Sequence, residues 1–313
     1  MTLDLDLTRD ALASSTLSHG LQVMGDRWSV ALILHAFLGV KRFGDWQARL
    51  GIPRHTLTGR LKDLVGLGLM ELRPYQHKPL RQAYHLTDKG LALYPQVLMM
   101  WAWERRWGSR ELALPQILMH RLCGHAFVPE LHCAACSGKA GIADLHLSLT
   151  VNQALLEQAP ARRRGARLTA QASAEMGLGL RVDRWALLIV SSVMLGCHHF
   201  DQLSHVLRIG SSVLARRLAD MVASGLLRCQ PDLADARRMV YRLTPASRDL
   251  FGYIICFASW ASSTHLQQPS SIRPTHRACG HAFVPRVACS HCQATLAPHA
   301  VSFATPGAPP PGP

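Results

Sequence analysis

The sequence predicts a mainly α fold with small β-hairpins (α+β), built as two tandem domains that are each followed by a short Cys/His-bearing segment. Three observations predict it: a long internal repeat, helical periodicity broken once per copy by a strand pair, and two matched Cys/His clusters. The 313 residues suit two ordinary domains, and 48% hydrophobic residues exclude a disordered chain. Lys and Arg number 34 against 20 Asp and Glu, a net charge of +14. That balance favours a polyanionic partner, nucleic acid before an anionic membrane surface.

The repeat fixes the domain organisation. Asp26-Arg27-Trp28 recurs as Asp183-Arg184-Trp185, an offset of 157 that also carries Phe43 onto Phe200, Leu57 onto Leu214, Arg60-Leu61 onto Arg217-Leu218 and Trp103 onto Trp260. One deletion later the offset is 156, and His120 to Pro129 matches His276 to Pro285. The expected units are a first domain over 1–118, a ribbon over 119–150, a basic linker over 151–170, a second domain over 171–272, a second ribbon over 273–300 and a disordered tail over 301–313.

Within copy one, Ser15–Met24 and Ser29–Leu38 read as helices broken around Gly25, and Phe43–Leu50 as a third, short helix. Gly51-Ile52-Pro53 is a turn whose proline suits the first position of a fourth helix reaching about Val65. Leu69–Tyr75 and Arg81–Leu86 read as a strand pair around a loop, and Thr87-Asp88 as the cap of one long helix to about Trp107. Helices followed by a hairpin make a winged helix, with the fourth helix as the reader of the major groove. Opposite its Leu57/Leu61/Leu64 face stand Arg54, His55, Thr58, Gly59 and Lys62. With Arg42 before the third helix and His77, Lys78 and Arg81 on the hairpin, these are the expected contacts to double-stranded DNA.

The set Gly25-Asp26-Arg27-Trp28, Lys41-Arg42-Phe43, Gly51-Ile52, Leu57-Thr58-Gly59-Arg60-Leu61, Gly68-Leu69 and Tyr84-His85-Leu86-Thr87-Asp88-Lys89-Gly90 resembles the HxlR-type helix-turn-helix regulators. The resemblance covers about 20–108 and, more loosely, 177–265. It implies a bacterial transcription regulator whose winged helices work as a two-fold dimer on an inverted repeat, joined through their terminal helices.

Copy two departs from the pattern. His198-His199 replaces Lys41-Arg42, the reading helix offers Ser211, Ser212 and Arg216, and acids Asp232 and Asp235 precede Arg237 and Arg238 in the wing. Fewer cations predict weaker phosphate contact. Both final helices are rich in aromatics, including Trp101, Trp103, Tyr253 and Trp260. This surplus predicts helix-on-helix packing: an internal pseudo-dimer between the copies that replaces the homodimer, with a homo-oligomer as the alternative.

The cysteines supply a second chemistry. Each copy reads His-x2-Cys-Gly, then Cys-x2-Cys: His120, Cys123, Cys133 and Cys136, then His276, Cys279, Cys289 and Cys292. Two such knuckles per ribbon suit a tetrahedral zinc ion, so the expectation is two structural Zn2+ sites, one within each copy. His125 and His281, also repeated, are alternative ligands. Cys197, Cys229 and Cys256 lack counterparts and read as buried fillers. Motifs for catalytic zinc or a phosphate-binding loop are missing, so an enzyme is not expected. Neither a leader nor a membrane span is expected, which makes the predicted location cytoplasmic, at the nucleoid. The alternative to a DNA-binding regulator is a protein-interaction adaptor built on the ribbons. The sequence names no small-molecule effector.

Overall fold

The computed structural model describes residues 3–108, 114–158 and 183–304. Copy one opens with α1 (Leu5–Ala13), a helix hidden by the Leu/Asp alternation of the first residues. Asp4 caps it by accepting from the Leu7 N–H at 2.9 Å, and Thr8, Ala11 and Leu12 form its buried stripe. α2 (Thr16–Met24) and α3 (Arg27–Phe37) start at the caps Ser15 and Asp26. α4 (Phe43–Leu50) and α5 (Arg54–Gly66) form the helix-turn-helix, with Leu57, Leu61 and Leu64 buried beneath α5. The antiparallel wing pairs β1 (Met70–His77) with β2 (Leu80–Leu86), and its register slips between Pro74 and Gln76, beside a residue with no N–H to give.

The long terminal helix expected from Thr87-Asp88 to Trp107 is two helices, α6 (Asp88–Leu91) and α7 (Tyr94–Trp107). Pro95 in the first turn of α7 explains the correction: it cannot donate to the preceding turn, so the helix restarts there.

The first ribbon contributes β3 (Ile117–His120), β4 (His125–Phe127), β5 (Pro129–Cys133) and β6 (Leu145–Leu149). Part of the expected linker is a short helix, α8 (Gln153–Glu157), capped by Asn152. Residues 159–170, with the basic run, lie outside the described residues. Copy two repeats the plan with α9 (Arg184–Met194), α10 (Phe200–Leu207), α11 (Ser211–Ala223), β7 (Leu227–Pro231), β8 (Met239–Leu243), α12 (Pro245–Asp249) and α13 (Phe251–Trp260). β9 (Ile272–His276), β10 (Pro285–Cys289) and β11 (Val301–Ala304) belong to its ribbon. The tail expected to be disordered from 301 therefore begins with a strand, because Val301–Ala304 pairs with β3; residues 305–313 lie outside the described residues.

The copies share one core. Trp46, Leu57 and Leu61 of copy one belong to the same buried cluster as Leu214, Leu218 and Phe257 of copy two. The contacts between copies are reciprocal. The Trp103 indole N–H donates to the Ala246 carbonyl at 2.6 Å, and that of Trp260 donates to the Lys89 carbonyl at 3.1 Å. An offset of 157 carries one bond onto the other. This is the self-complementary pattern of a two-fold interface, here within one chain. At Gly20 a Cβ would lie 3.1 Å from Phe257 and Ala261, so glycine lets α2 approach α13. α1 lies across the copies on α10, where Asp6 faces His205 at 3.0 Å.

The ribbons are interlaced rather than separate. β5 pairs antiparallel with β10, setting the equivalent residues Leu131 and Val287 opposite each other. β3 pairs with β11 through His120↔Val301, and β6 with β9 through Leu145↔His276, the same contact seen from each side. Two loop bonds repeat in the same way: Arg121 N–H to Ala300 O at 2.8 Å and Arg277 N–H to Asp144 O at 2.9 Å. A second core of Trp101, Leu118, Phe127, Leu131, Phe283 and Val287 closes this body against α7 and α13.

Candidate nucleic-acid interface and metal centres

Asp26 caps α3 by accepting from the Trp28 and Ser29 N–H groups at 3.1 Å, and also pairs with Arg60 of α5 at 3.4 Å. Asp183 caps α9 and pairs with Arg217 of α11 at 3.0 Å. The Asp of each repeated Asp-Arg-Trp motif thus fixes α5 and α11 to the helices behind them. Sequence reasoning found these four residues only as repeat markers. The signal was the recurrence of both Asp and Arg at one offset.

On copy one, Arg54, His55, Thr58, Gly59 and Lys62 are exposed along α5, as are Arg42 and the wing residues His77, Lys78 and Arg81. Arg42 lies over the Tyr75 ring at 4.6 Å and Arg54 over Phe43 at 5.4 Å, which orients both guanidinium groups without cancelling their charge. Among the described residues, Arg42, Arg54, Lys62, Lys78 and Arg81 have no acidic partner. Arg73 does have one, donating to Glu71 at 2.7 Å.

On copy two, Ser211, Ser212 and Arg216 are exposed on α11, but two wing cations, Arg237 and Arg238, are engaged. Arg238 reaches both carboxylate oxygens of Asp201 at 3.1 Å, and Arg237 lies 3.6 Å from Asp235. His199 sits 3.3 Å from Asp232. Burial, then the charges of Arg242 and His199, hold His198 below the usual imidazole range. So where copy one offers Lys41 and Arg42, copy two offers a neutral ring and a ring beside an acid.

The Cys/His residues gather into two groups, but not the groups their order along the chain predicts. His120 and Cys123 join Cys289 and Cys292, while Cys133 and Cys136 join His276 and Cys279. This corrects the expectation of one site within each copy. The physical reason is the β5–β10 pairing, which carries each Cys-x2-Cys knuckle across to the other copy's His-x2-Cys knuckle. The His120 Nδ1 lies 3.4 Å from Cys123 Sγ and 3.2 Å from Cys292 Sγ, and Cys123 and Cys289 sulfurs are 4.0 Å apart. In the other group, His276 Nδ1 lies 3.3 Å from Cys136 Sγ and 3.4 Å from Cys279 Sγ. A tetrahedral site with Zn–S of about 2.3 Å and Zn–N of about 2.0 Å has edges of about 3.5–3.8 Å, so both groups fit such an ion.

Gly124 and Gly280 turn the first knuckles with φ of 72° and 73°, as the glycine after each cysteine predicts. His120, His276, Cys133 and Cys289 are buried, whereas Cys136 and Cys292 are exposed. The alternative ligands His125 and His281 are exposed and belong to neither four-residue group. Cys197 and Cys256 are buried fillers, and burial pushes the Cys197 thiol up to about 11; Cys229 is only half-buried. No helix among the described residues is long and apolar enough to cross a membrane.

The family model for the HxlR-like helix-turn-helix matches residues 23–112 and again 181–269. An uncharacterized HTH-type transcriptional regulator of Mycobacterium tuberculosis is 37% identical over 134 residues, 40% of this chain and 85% of that protein. The uncharacterized HTH-type transcriptional regulator YdeP of Bacillus subtilis is 28% identical over 109 residues, 34% of this chain and 85% of YdeP. A solved structure of a candidate transcription factor from Pseudomonas aeruginosa aligns at 25% identity with a TM-score of 0.29, covering 50% of this chain and 95% of that one.

Proposed function

Because the chain belongs to the HxlR-like helix-turn-helix family, we propose that this transcriptional regulator supplies both halves of a DNA-reading unit from one polypeptide. Its two winged helices engage the two halves of a pseudo-palindromic operator in double-stranded DNA. The observation that carries this reading is the reciprocal bonding of Trp103 to Ala246 and of Trp260 to Lys89, the signature of a two-fold interface already satisfied within the chain. Copy one is the stronger reader, since Arg42, Arg54, Lys62, Lys78 and Arg81 face no acid among the described residues, while Asp201 and Asp235 engage Arg238 and Arg237 of the second wing.

The two Cys/His groups each hold a structural zinc ion. Four ligands leave no position for a reactive water, so the ions brace the ribbons and supply no reaction. Each ion draws His120/Cys123 or His276/Cys279 from one copy and the Cys-x2-Cys pair from the other. The metal therefore ties the two readers together.

Footprinting with a known concentration of chain tests the reading. One chain should protect one pseudo-palindrome at saturation. Lys62→Ala should weaken binding by about 1 kcal/mol or more, and Arg216→Ala by clearly less. Saturation at two chains per operator, or equal losses from both substitutions, would contradict it.

A further inference from the structure

Beside the first Cys/His group stands a set of donors that the internal symmetry does not repeat. His125 of copy one and His291 of copy two stack with ring centroids 3.6 Å apart and planes 12° from parallel. Together with Cys123 they offer one donor atom each, all within 4.8 Å of one another. The offset of 156 carries His125 onto His281, but carries His291 back onto Ala135. The opposite edge of the ribbon body therefore has one imidazole where this edge has two.

The stacked rings send their in-plane lone pairs along near-parallel lines, so one ion takes both once the exposed His291 ring turns out of the stack. The His125 Nδ1–H donates to the Cys123 carbonyl at 2.5 Å, which places a ring proton on Nδ1 and leaves Nε2 as the nitrogen for a ligand bond. A backbone carbonyl holding the far nitrogen is the usual support of a metal-binding histidine. Both imidazoles are exposed and Cys123 is half-buried, so the set faces solvent at the seam between the copies. Three donors leave room for water, unlike the four-residue groups, and an ion held this way exchanges.

We propose that Cys123, His125 and His291 form a third metal site, an exchangeable one for a first-row divalent ion that favours imidazole, such as nickel or copper. Cys123 belongs to both groups, so its thiolate would bridge to the ion of the neighbouring four-residue group. This bridge rests on the zinc reading given above. An ion here clips copy one to copy two on one side only, so it acts on an already unequal pair of readers.

Calorimetric titration of Ni2+ into the full chain, loaded with zinc beforehand and with zinc content measured, tests the site. The expected result is one further equivalent of nickel above two bound zinc ions. His125→Ala and His291→Ala should each abolish that equivalent while zinc stays at two. The sequence Cys133-Ala134-Ala135-Cys136 indicates that alanine is tolerated at this knuckle position. Ala135→His, which sets the missing imidazole opposite His281, should add a second nickel equivalent. Absence of saturable nickel binding, nickel binding that survives both histidine substitutions, or no gain from Ala135→His would overturn the proposal. Zinc content below two in the unaltered chain would instead overturn the four-ligand reading, and so separates the two failures.

Discussion

Gly51 and Arg208 occupy the same position in the two helix-turn-helix turns, and both adopt the left-handed conformation, with φ of 58° and 49°. Glycine meets that geometry without strain, whereas a residue with a Cβ loses roughly 1 kcal/mol there. Arg208→Gly should therefore stabilise the chain by about 1 kcal/mol; an unchanged or lower urea midpoint would contradict it. Histidines give a second prediction at this scale. Burial is the first cause that holds His19, His35, His198 and His265 below the ordinary value of 6.5. The unfolded chain then takes up protons before the folded one does, so stability is full above about pH 6.5 and falls as the pH drops below it. The urea midpoint should be lower at pH 5.5 than at pH 7.5, and His35→Gln should remove part of that slope. A midpoint that rises on acidification would contradict the assignment.

The element scale shows how much of the fold was legible. The leucine triplet of α5 and the alternation of Tyr84 and Leu86 announce a helix and a strand, and Phe43–Leu50 is found where its pattern predicts. α1 was not legible, because Leu3, Leu5 and Leu7 alternate with Asp and imitate a period of two. Its buried stripe is Thr8, Ala11 and Leu12, and the helix packs on α10 of the other copy, far away in sequence. The break before α7 was legible in Pro95 but lost within a long apolar run. The aromatic surplus of α7 and α13 correctly announced packing between copies. Since Trp103 and Trp260 make the same bond from opposite sides, Trp103→Ala and Trp260→Ala should each cost about 3–5 kcal/mol. A large loss from one substitution and none from the other would show that the interface is not reciprocal.

Over the whole molecule, the ligand types and their spacing were legible, but their partners were not. A His-x2-Cys knuckle and a Cys-x2-Cys knuckle have the same local sequence whether they close within a copy or across copies. Because the two ribbons carry the same ligand types at the same spacing, both closures satisfy every short-range rule. What decides between them is long-range strand pairing: Leu131 against Val287, and His120 against Val301. The unequal charge of the two helix-turn-helix faces was legible as residue types, yet the Arg238–Asp201 fork in the second wing depends on the folded arrangement. A chain duplicated in this way keeps a two-fold frame while freeing each half to change, as the difference between His291 and Ala135 illustrates.

Metal content measured on two sets of substitutions tests the interlaced architecture most directly. Replacing His120, Cys123, Cys289 and Cys292 together removes one group and leaves Cys133, Cys136, His276 and Cys279 intact. That chain should retain one zinc ion. Replacing His120, Cys123, Cys133 and Cys136 takes half of each group and should leave none. The opposite outcome, with no zinc in the first chain and one ion in the second, would mean that each ribbon closes on itself and would contradict the shared arrangement.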